Sequence, residues 1–137
     1  MTAKEYLSRA YRIDKRINAK LEQVQALRTL AEKASAILTG TPMGKGGVPQ
    51  SMESTIEKMV DLQAVIDGEL KQLMDTKLEI MTILKCVETI QLQTLLELRY
   101  LNFMAWEEIA DAMNIQTRQV FRLHGKALGE IDTIRRI

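Results

Sequence analysis

The sequence is poor in cysteine, proline and aromatic residues, and these shortages narrow the classes of protein that it can belong to. Cys86 is the only cysteine, so the chain cannot form an internal disulfide and a cytoplasmic location is expected. No apolar run reaches the roughly 18 residues that indicate a membrane-spanning helix, so no membrane contact is predicted. Residues 1–16 have no apolar signal-peptide core. Both prolines lie in one short segment, which leaves the rest of the chain able to form helices.

The composition favours a helical protein with a core and with an uneven charge distribution. Hydrophobic residues make up 46% of the 137 residues and charged residues 27%, a proportion that can bury a core. The net charge is only +1, yet residues 1–38 carry eight Lys/Arg against four Asp/Glu, and residues 114–137 carry five against two. Any contact with nucleic acid is therefore expected from a local basic face.

Two long apolar stripes predict a helical hairpin in the first part of the chain. Apolar residues at steps of three and four predict one helix over residues 2–39, with Thr2 and Glu5 as an N-terminal capping box. Residues 40–50 hold four of the seven glycines and both prolines, which predicts a flexible turn. A second stripe follows, so residues 1–88 are predicted to form a long antiparallel helical hairpin that resembles a coiled coil.

The hairpin also carries apolar residues that lie outside both stripes. A two-helix hairpin has a thin core, and leftover apolar surface indicates that it packs on something else. Self-association through the hairpin is the preferred interpretation, and packing against the C-terminal helices is the alternative.

The interruption at Asn114 predicts a sharp turn between two helices. Helices are predicted over about residues 92–101, over 106–113 and from Thr117 onward. Asparagine tolerates the left-handed backbone conformation better than any residue except glycine. The residues on both sides occupy the small-residue, turn and buried positions of a helix-turn-helix. These positions are Ile109, Ala110, Met113, Asn114, Ile115, Val120 and Leu123. The predicted fold is therefore all-α, with the hairpin followed by a helix-turn-helix DNA-binding domain over residues 89–137.

The second helix of this motif is predicted to expose a basic face. A recognition helix brings its N-terminal residues to base edges in the major groove, where arginine can bind guanine and glutamine can bind adenine through paired hydrogen bonds. Arg118 and Arg122 lie one helical turn apart on one side of the helix. A solvated basic helix face without a ligand is the alternative interpretation.

The C-terminal segments LLELRYL, WEEIADAMNI and TRQVFRLHGKAL resemble region four of bacterial sigma factors, a helix-turn-helix that reads a promoter element. They are also similar to small prophage proteins of Gram-positive bacteria, related to phage late transcriptional regulators of the RinA/ArpU type. The resemblance covers roughly the last 50 residues. It implies a sequence-specific DNA-binding transcriptional regulator of phage or prophage origin, with double-stranded DNA as partner and RNA polymerase as a further candidate partner.

The resemblance also implies roles for individual residues. It implies base contacts by Thr117, Arg118, Phe121 and Arg122. It implies phosphate contacts by Arg99, Gln119, His124 and Lys126. Phe121 takes a place that is often polar in sigma factors, so it either contacts a thymine methyl group or packs against a neighbour. Gln116 stands where the family often has a Ser or Thr helix cap, which implies a weaker cap or one that shifts to Thr117.

The sequence offers no residue set that is typical of an enzyme. His124 is the only histidine, and neither a Cys/His cluster nor a Ser/Asp constellation accompanies it. No catalytic residue, metal site or cofactor is therefore predicted. Two other functions remain open: a small terminase-like phage packaging subunit, whose usual domain order is the reverse of this one, and a sigma-like protein that binds RNA polymerase without DNA.

Overall fold

The computed structural model describes residues 1–40 and 50–136, and within these ranges it describes the side chains of residues 1–36 and 52–136. The described residues form six α-helices and no strand, which confirms the all-α prediction. The helices are α1 Ala3–Leu7, α2 Arg9–Gly40, α3 Gln50–Leu84, α4 Ile90–Tyr100, α5 Trp106–Met113 and α6 Thr117–Arg135. None of the helices in this part of the chain is long and apolar enough to cross a membrane. Residues 41–49 of the predicted turn lie outside the described residues.

The N-terminal capping box predicted at Thr2 and Glu5 is confirmed. The Glu5 N–H donates to Thr2 Oγ1 over 3.1 Å, and the Thr2 N–H donates to Glu5 Oε2 over 3.3 Å. The helix predicted over residues 2–39 is interrupted at Ser8. Arg9 Nε donates to the Tyr6 carbonyl oxygen at this break, so a side chain satisfies a backbone group where the regular ladder is disturbed.

The chain divides into two compact units, and each contains parts of α2 and α3. The first unit is Met1–Asp14 with Gln72–Ile137, and the second is Lys15–Lys71. The boundary expected at residue 88, between a hairpin and a DNA-binding domain, stays a prediction.

The first unit has one continuous apolar core to which α1, the end of α3 and the three C-terminal helices all contribute. Its largest fully buried side chains are Leu7, Ile80, Leu84, Leu95, Leu96, Ile109, Val120 and Ile131. A polar cluster lies at the edge of this unit. There Tyr6 Oη donates to Glu79 Oε1 over 2.7 Å and Arg9 Nη2 lies 3.1 Å from the same oxygen. The hydrogen bond from Tyr6 makes the largest contribution to lowering the pKa of Glu79, and Arg9 lowers it further. Partial burial of the carboxylate has the opposite, smaller effect.

The second unit has a much thinner core. Its buried apolar side chains among the described residues are Ile17, Val24 and Ile66, and of these only Ile66 is fully buried. Lys20 and Glu69 form a partly buried ion pair between α2 and α3. Large apolar side chains on the outside of this unit stay exposed, and they are Leu21, Leu30, Ile56, Val60, Val65 and Leu70.

Candidate functional site

The turn after α5 is built on a left-handed asparagine. Asn114 has φ 57° and ψ 46°, and it caps α5. The Ile115 N–H donates to the Ala110 carbonyl oxygen over 3.0 Å, and the Asn114 N–H donates to the Asp111 carbonyl oxygen over 3.2 Å. This pair of bonds satisfies the last carbonyls of the helix in the way that a left-handed residue allows. The chain therefore leaves α5 abruptly and begins α6 at Thr117.

The start of α6 has a weak cap. Gln116 is the N-cap residue and has extended backbone angles, φ −78° and ψ 149°, but its side chain makes no capping hydrogen bond. Its carbonyl oxygen accepts from the N–H groups of Gln119 and Val120. The cap is thus the weaker one that a glutamine implies, and it does not shift to Thr117.

The two sides of α6 differ sharply in exposure. Val120, Leu123, His124, Ala127 and Ile131 are buried, at the spacing of three and four residues that marks one helix face. The opposite side exposes Arg118, Phe121, Arg122, Gly125 and Lys126. Gln116, Arg118, Gln119 and Arg122 surround a shallow depression at the start of this side.

Both guanidinium groups at the start of α6 are available to a ligand. Arg118 and Arg122 are exposed, and neither forms an ion pair or a hydrogen bond with a described residue. The first turn of α6 carries no acidic residue. A helix N-terminus also has unsatisfied backbone N–H groups and a partial positive charge. The beginning of α6 therefore suits a negatively charged ligand.

An aromatic stack supports this side of α6 from behind. The Trp106 ring lies 5.2 Å from the Phe121 ring, and the Arg99 guanidinium lies 4.1 Å above the Trp106 ring. Arg99 Nη1 also donates to the Met104 carbonyl oxygen over 2.8 Å. Phe121 nevertheless stays 51% exposed. One side of its ring is thus held by Trp106 while the other faces outward.

The predicted phosphate contact by His124 is wrong, because this side chain is only 8% exposed and lies on the buried face of α6. Its Nε2 atom is 2.6 Å from Tyr100 Oη, which makes a buried hydrogen bond between α4 and α6. Burial, with a smaller contribution from the positive charges of Lys4 and Arg99, lowers the pKa of His124 to about 4. Burial likewise raises the pKa of Tyr100 to about 12. A neutral, enclosed imidazole cannot bind a phosphate on the surface.

The other predicted residues all belong to the first unit, and all of them except Arg99 lie on α6. Thr117, Arg118, Phe121 and Arg122 lie in the first two turns of α6, with Thr117 half-buried and the other three exposed. Lys126 is exposed one turn later, and Gln119 is half-buried. Arg99 is half-buried and already engaged with Met104 and Trp106. Whether these side chains contact DNA stays a prediction.

The residues predicted to form the core of the motif are buried or half-buried, except Asn114 at the turn. Ile109, Ala110, Val120 and Leu123 are buried, and Met113 and Ile115 are half-buried against the same core. Asn114 is exposed at the turn. Sequence reasoning missed the Tyr100–His124 pair. The signal was present, since His124 continues the buried spacing from Val120 to Ala127 and Ile131.

Sequence reasoning also missed the conformation of Phe103, between α4 and α5. Its φ is 57°, a left-handed value that is unusual for a bulky residue. The Tyr11 ring meets the Phe103 ring edge-on at 5.6 Å, and Lys77 Nζ lies 4.8 Å above it. These contacts hold the ring in place, so packing overrides the local preference that would assign such a conformation to the neighbouring Asn102.

Comparisons with known proteins identify one family. The family described as "Protein of unknown function (DUF1492)" matches residues 34–132. No curated protein and no solved structure matches the chain. Among the described residues, no three His, Cys, Asp or Glu side chains are grouped so that they could hold a metal ion.

Proposed function

The chain belongs to the DUF1492 family, and we propose that it is a sequence-specific DNA-binding transcriptional regulator that acts in the cytoplasm through a sigma region four-like helix-turn-helix. In this proposal α5 is the supporting helix, Asn114 makes the turn, and α6 is the recognition helix. The observation that carries the proposal is the exposed pair Arg118 and Arg122, without a described partner, opposite a fully buried face of the same helix. The phage or prophage origin rests on the sequence resemblance alone.

The chemistry of α6 fits the major groove of duplex DNA. Arginine side chains can bind the two acceptor atoms of a guanine edge at once, and each such contact discriminates by about 1–3 kcal/mol. Arg118 and Arg122 are proposed for this role, with Thr117 beside them. Lys126 is proposed to bind phosphate, and its distance from the helix start suits a contact beside the groove rather than in it. Gln119 is half-buried, so a phosphate contact there would use only the outer part of its side chain.

The N-terminal helices are proposed either to self-associate, which brings two recognition helices together, or to present one recognition helix to RNA polymerase. An ion pair joins α2 to α3 in each unit, Arg9 to Glu79 in the first and Lys20 to Glu69 in the second. Within each unit, the pair supports the contact between α2 and α3 that a helical hairpin requires. A single helix-turn-helix makes few contacts, and specific affinities of about 10⁻⁸ M or tighter generally need two modules or a tethering partner. Self-association would supply the two modules, and RNA polymerase would be the tethering partner.

The test begins with selection of duplexes from a random library by the full chain. Binding of the selected duplex is then measured by fluorescence anisotropy at several salt concentrations. We expect a preferred sequence and an affinity that falls steeply as salt increases. The variant that combines Arg118→Ala with Arg122→Ala should lose at least about 30-fold in affinity, since each guanine contact contributes about 1–3 kcal/mol. Arg28→Ala, an exposed arginine on α2, is the matched control and should bind as the unaltered chain does.

Two outcomes would contradict the proposal. One is that no sequence is enriched in the selection, and the other is that the double variant binds as tightly as the control. A chain that bound RNA polymerase without any duplex preference would support the polymerase-only function instead. A large closed ring in solution would support a packaging subunit.

A further inference from the structure

The second unit, Lys15–Lys71, leaves an apolar face of α3 uncovered. Ile56, Val60 and Leu70 are all exposed, and at 100° per residue they fall within about 80° of one another around the helix. Ile66, which is buried, lies about 40° from Leu70, about 80° from Ile56 and about 120° from Val60. The uncovered face therefore begins beside the buried one at Leu70 and extends away from it through Ile56 to Val60.

The contact between α2 and α3 buries too few apolar side chains to form a complete core for this unit. Only Ile17, Val24 and Ile66 are buried among its described side chains. An amphipathic helix is stable when its apolar stripe is packed against another element. Two helices that expose more large apolar side chains than they bury lack a second layer, and the apolar face of α3 shows where that layer would pack.

The charges of the unit favour a second copy of the same chain as that layer. Residues 15–40 carry five Lys/Arg against two Asp/Glu, 5 − 2 = +3. Residues 50–71 carry two Lys/Arg against five Asp/Glu, 2 − 5 = −3. A two-fold axis parallel to the helices places the basic α2 of each copy beside the acidic α3 of the other. Such pairs add little affinity, but they select this arrangement over the one that stacks like charges.

The size of the face also fits a dimer. Residues 50–71 of α3 span about 33 Å, and α2 and α3 together are about 20 Å wide, so the side of the unit that contains this face covers on the order of 650 Å². A standard protein interface buries about 800 Å² on each partner. That side is thus close to the area that a specific dimer requires.

We infer that the apolar face of α3, centred on Ile56 and Val60, pairs with a second copy of this chain to form a four-helix bundle. Each α2 lies beside the α3 of the partner, and neighbouring helices run antiparallel. The inference deepens the proposed function and rests on it for its purpose, because a dimer carries two recognition helices. The interface itself does not depend on DNA.

The mass of the full chain in solution tests the inference, by sedimentation equilibrium over a wide concentration range. We expect twice the chain mass of 15.6 kDa. The variant that combines Ile56→Lys with Val60→Lys should dissociate at least about 100-fold more readily, since each lost apolar contact is worth about 1.5–3 kcal/mol. Val65→Lys is the matched control. Val65 and Ile56 are each 47% exposed, but nine residues place them on opposite sides of α3.

A monomeric unaltered chain at high concentration would overturn the inference, and so would a Val65→Lys variant that dissociates as readily as the double variant. Because lysine could unfold the hairpin, the thermal midpoint of the unaltered chain is a second measurement. It should rise with protein concentration if folding and pairing are coupled, and a constant midpoint with a constant monomer mass would contradict the interface. A dimer without duplex preference would refute the proposed function but would still support this interface. A monomer that binds a preferred duplex would support the proposed function and refute the interface.

Discussion

Replacement of Asn114 by alanine should destabilise the protein through its backbone alone. Asn114 has φ 57°, and it is exposed, so its side chain contributes no core packing. A left-handed conformation costs an ordinary L-residue about 1–2 kcal/mol, a cost that asparagine reduces and glycine avoids. Asn114→Ala should therefore lower the free energy of unfolding by about 1 kcal/mol, while Asn114→Gly should change it by less than about 0.5 kcal/mol.

Thermal unfolding followed by circular dichroism measures this difference. A loss of about 1 kcal/mol should lower the midpoint by about 3–5 °C for a chain of this size. Asn102→Ala is the matched control, since Asn102 is exposed and is not among the described residues with positive φ. Its midpoint should stay within the range of ordinary surface substitutions, about ±0.5 kcal/mol.

Two results would refute this explanation of the turn at Asn114. If Asn114→Gly destabilises the chain as much as Asn114→Ala does, the amide side chain matters and the backbone conformation does not. If neither variant changes the midpoint, the turn does not require a left-handed residue, and the explanation of how α5 ends is wrong.

Three further predictions concern residues of α6, and one of them also uses a glycine of α3 for comparison. Because the folded chain holds His124 neutral, with a pKa of about 4, the unfolded chain takes up its proton first as the pH falls from about 6.5. Stability should therefore fall between about pH 6.5 and 4, and less so in His124→Gln, as measured by urea unfolding. A Cβ atom at Gly125 or Gly68 would meet nothing within 4 Å, so alanine at either position should raise the free energy of unfolding by about 0.5–1 kcal/mol in the same assay. Of these two variants, only Gly125→Ala should weaken duplex binding, because Gly125 lies on the exposed side of α6 and Gly68 lies on α3. Replacement of thymine by uracil at a base contacted by Phe121 should weaken binding about fourfold, since one methyl group contributes about 0.8 kcal/mol. The Phe121→Ala variant should bind the thymine and uracil duplexes with equal affinity.

The parts of the fold that local chemistry determines could be predicted from the sequence. The limits of α5 and the start of α6 follow from Asn114 and from the apolar spacing around it, and both agree with the structure. The interruption at Ser8 was not predicted, and an arginine side chain hydrogen-bonds to the Tyr6 carbonyl oxygen there. A hydrogen bond of this kind leaves no trace in a pattern of apolar residues.

The candidate site shows the same division. The exposed basic side of α6 follows from helical periodicity and is present in the structure. The burial of His124 could be read from the apolar spacing of α6, but its partner could not, because Tyr100 lies 24 residues earlier on another helix. The surroundings of Arg99 were missed for a different reason. Its guanidinium lies over Trp106 and is hydrogen-bonded to Met104, across the loop between α4 and α5, and apolar spacing does not give the conformation of a loop.

The position of Trp106 has a practical consequence. It is the only tryptophan in the chain, and its ring lies against Phe121 on one side and near His124 on another. Excitation of the indole therefore isolates the emission of a single ring, and anything that displaces Phe121 alters the surroundings of that ring. The unlabelled protein therefore carries its own optical reporter beside the residues that are proposed to bind DNA.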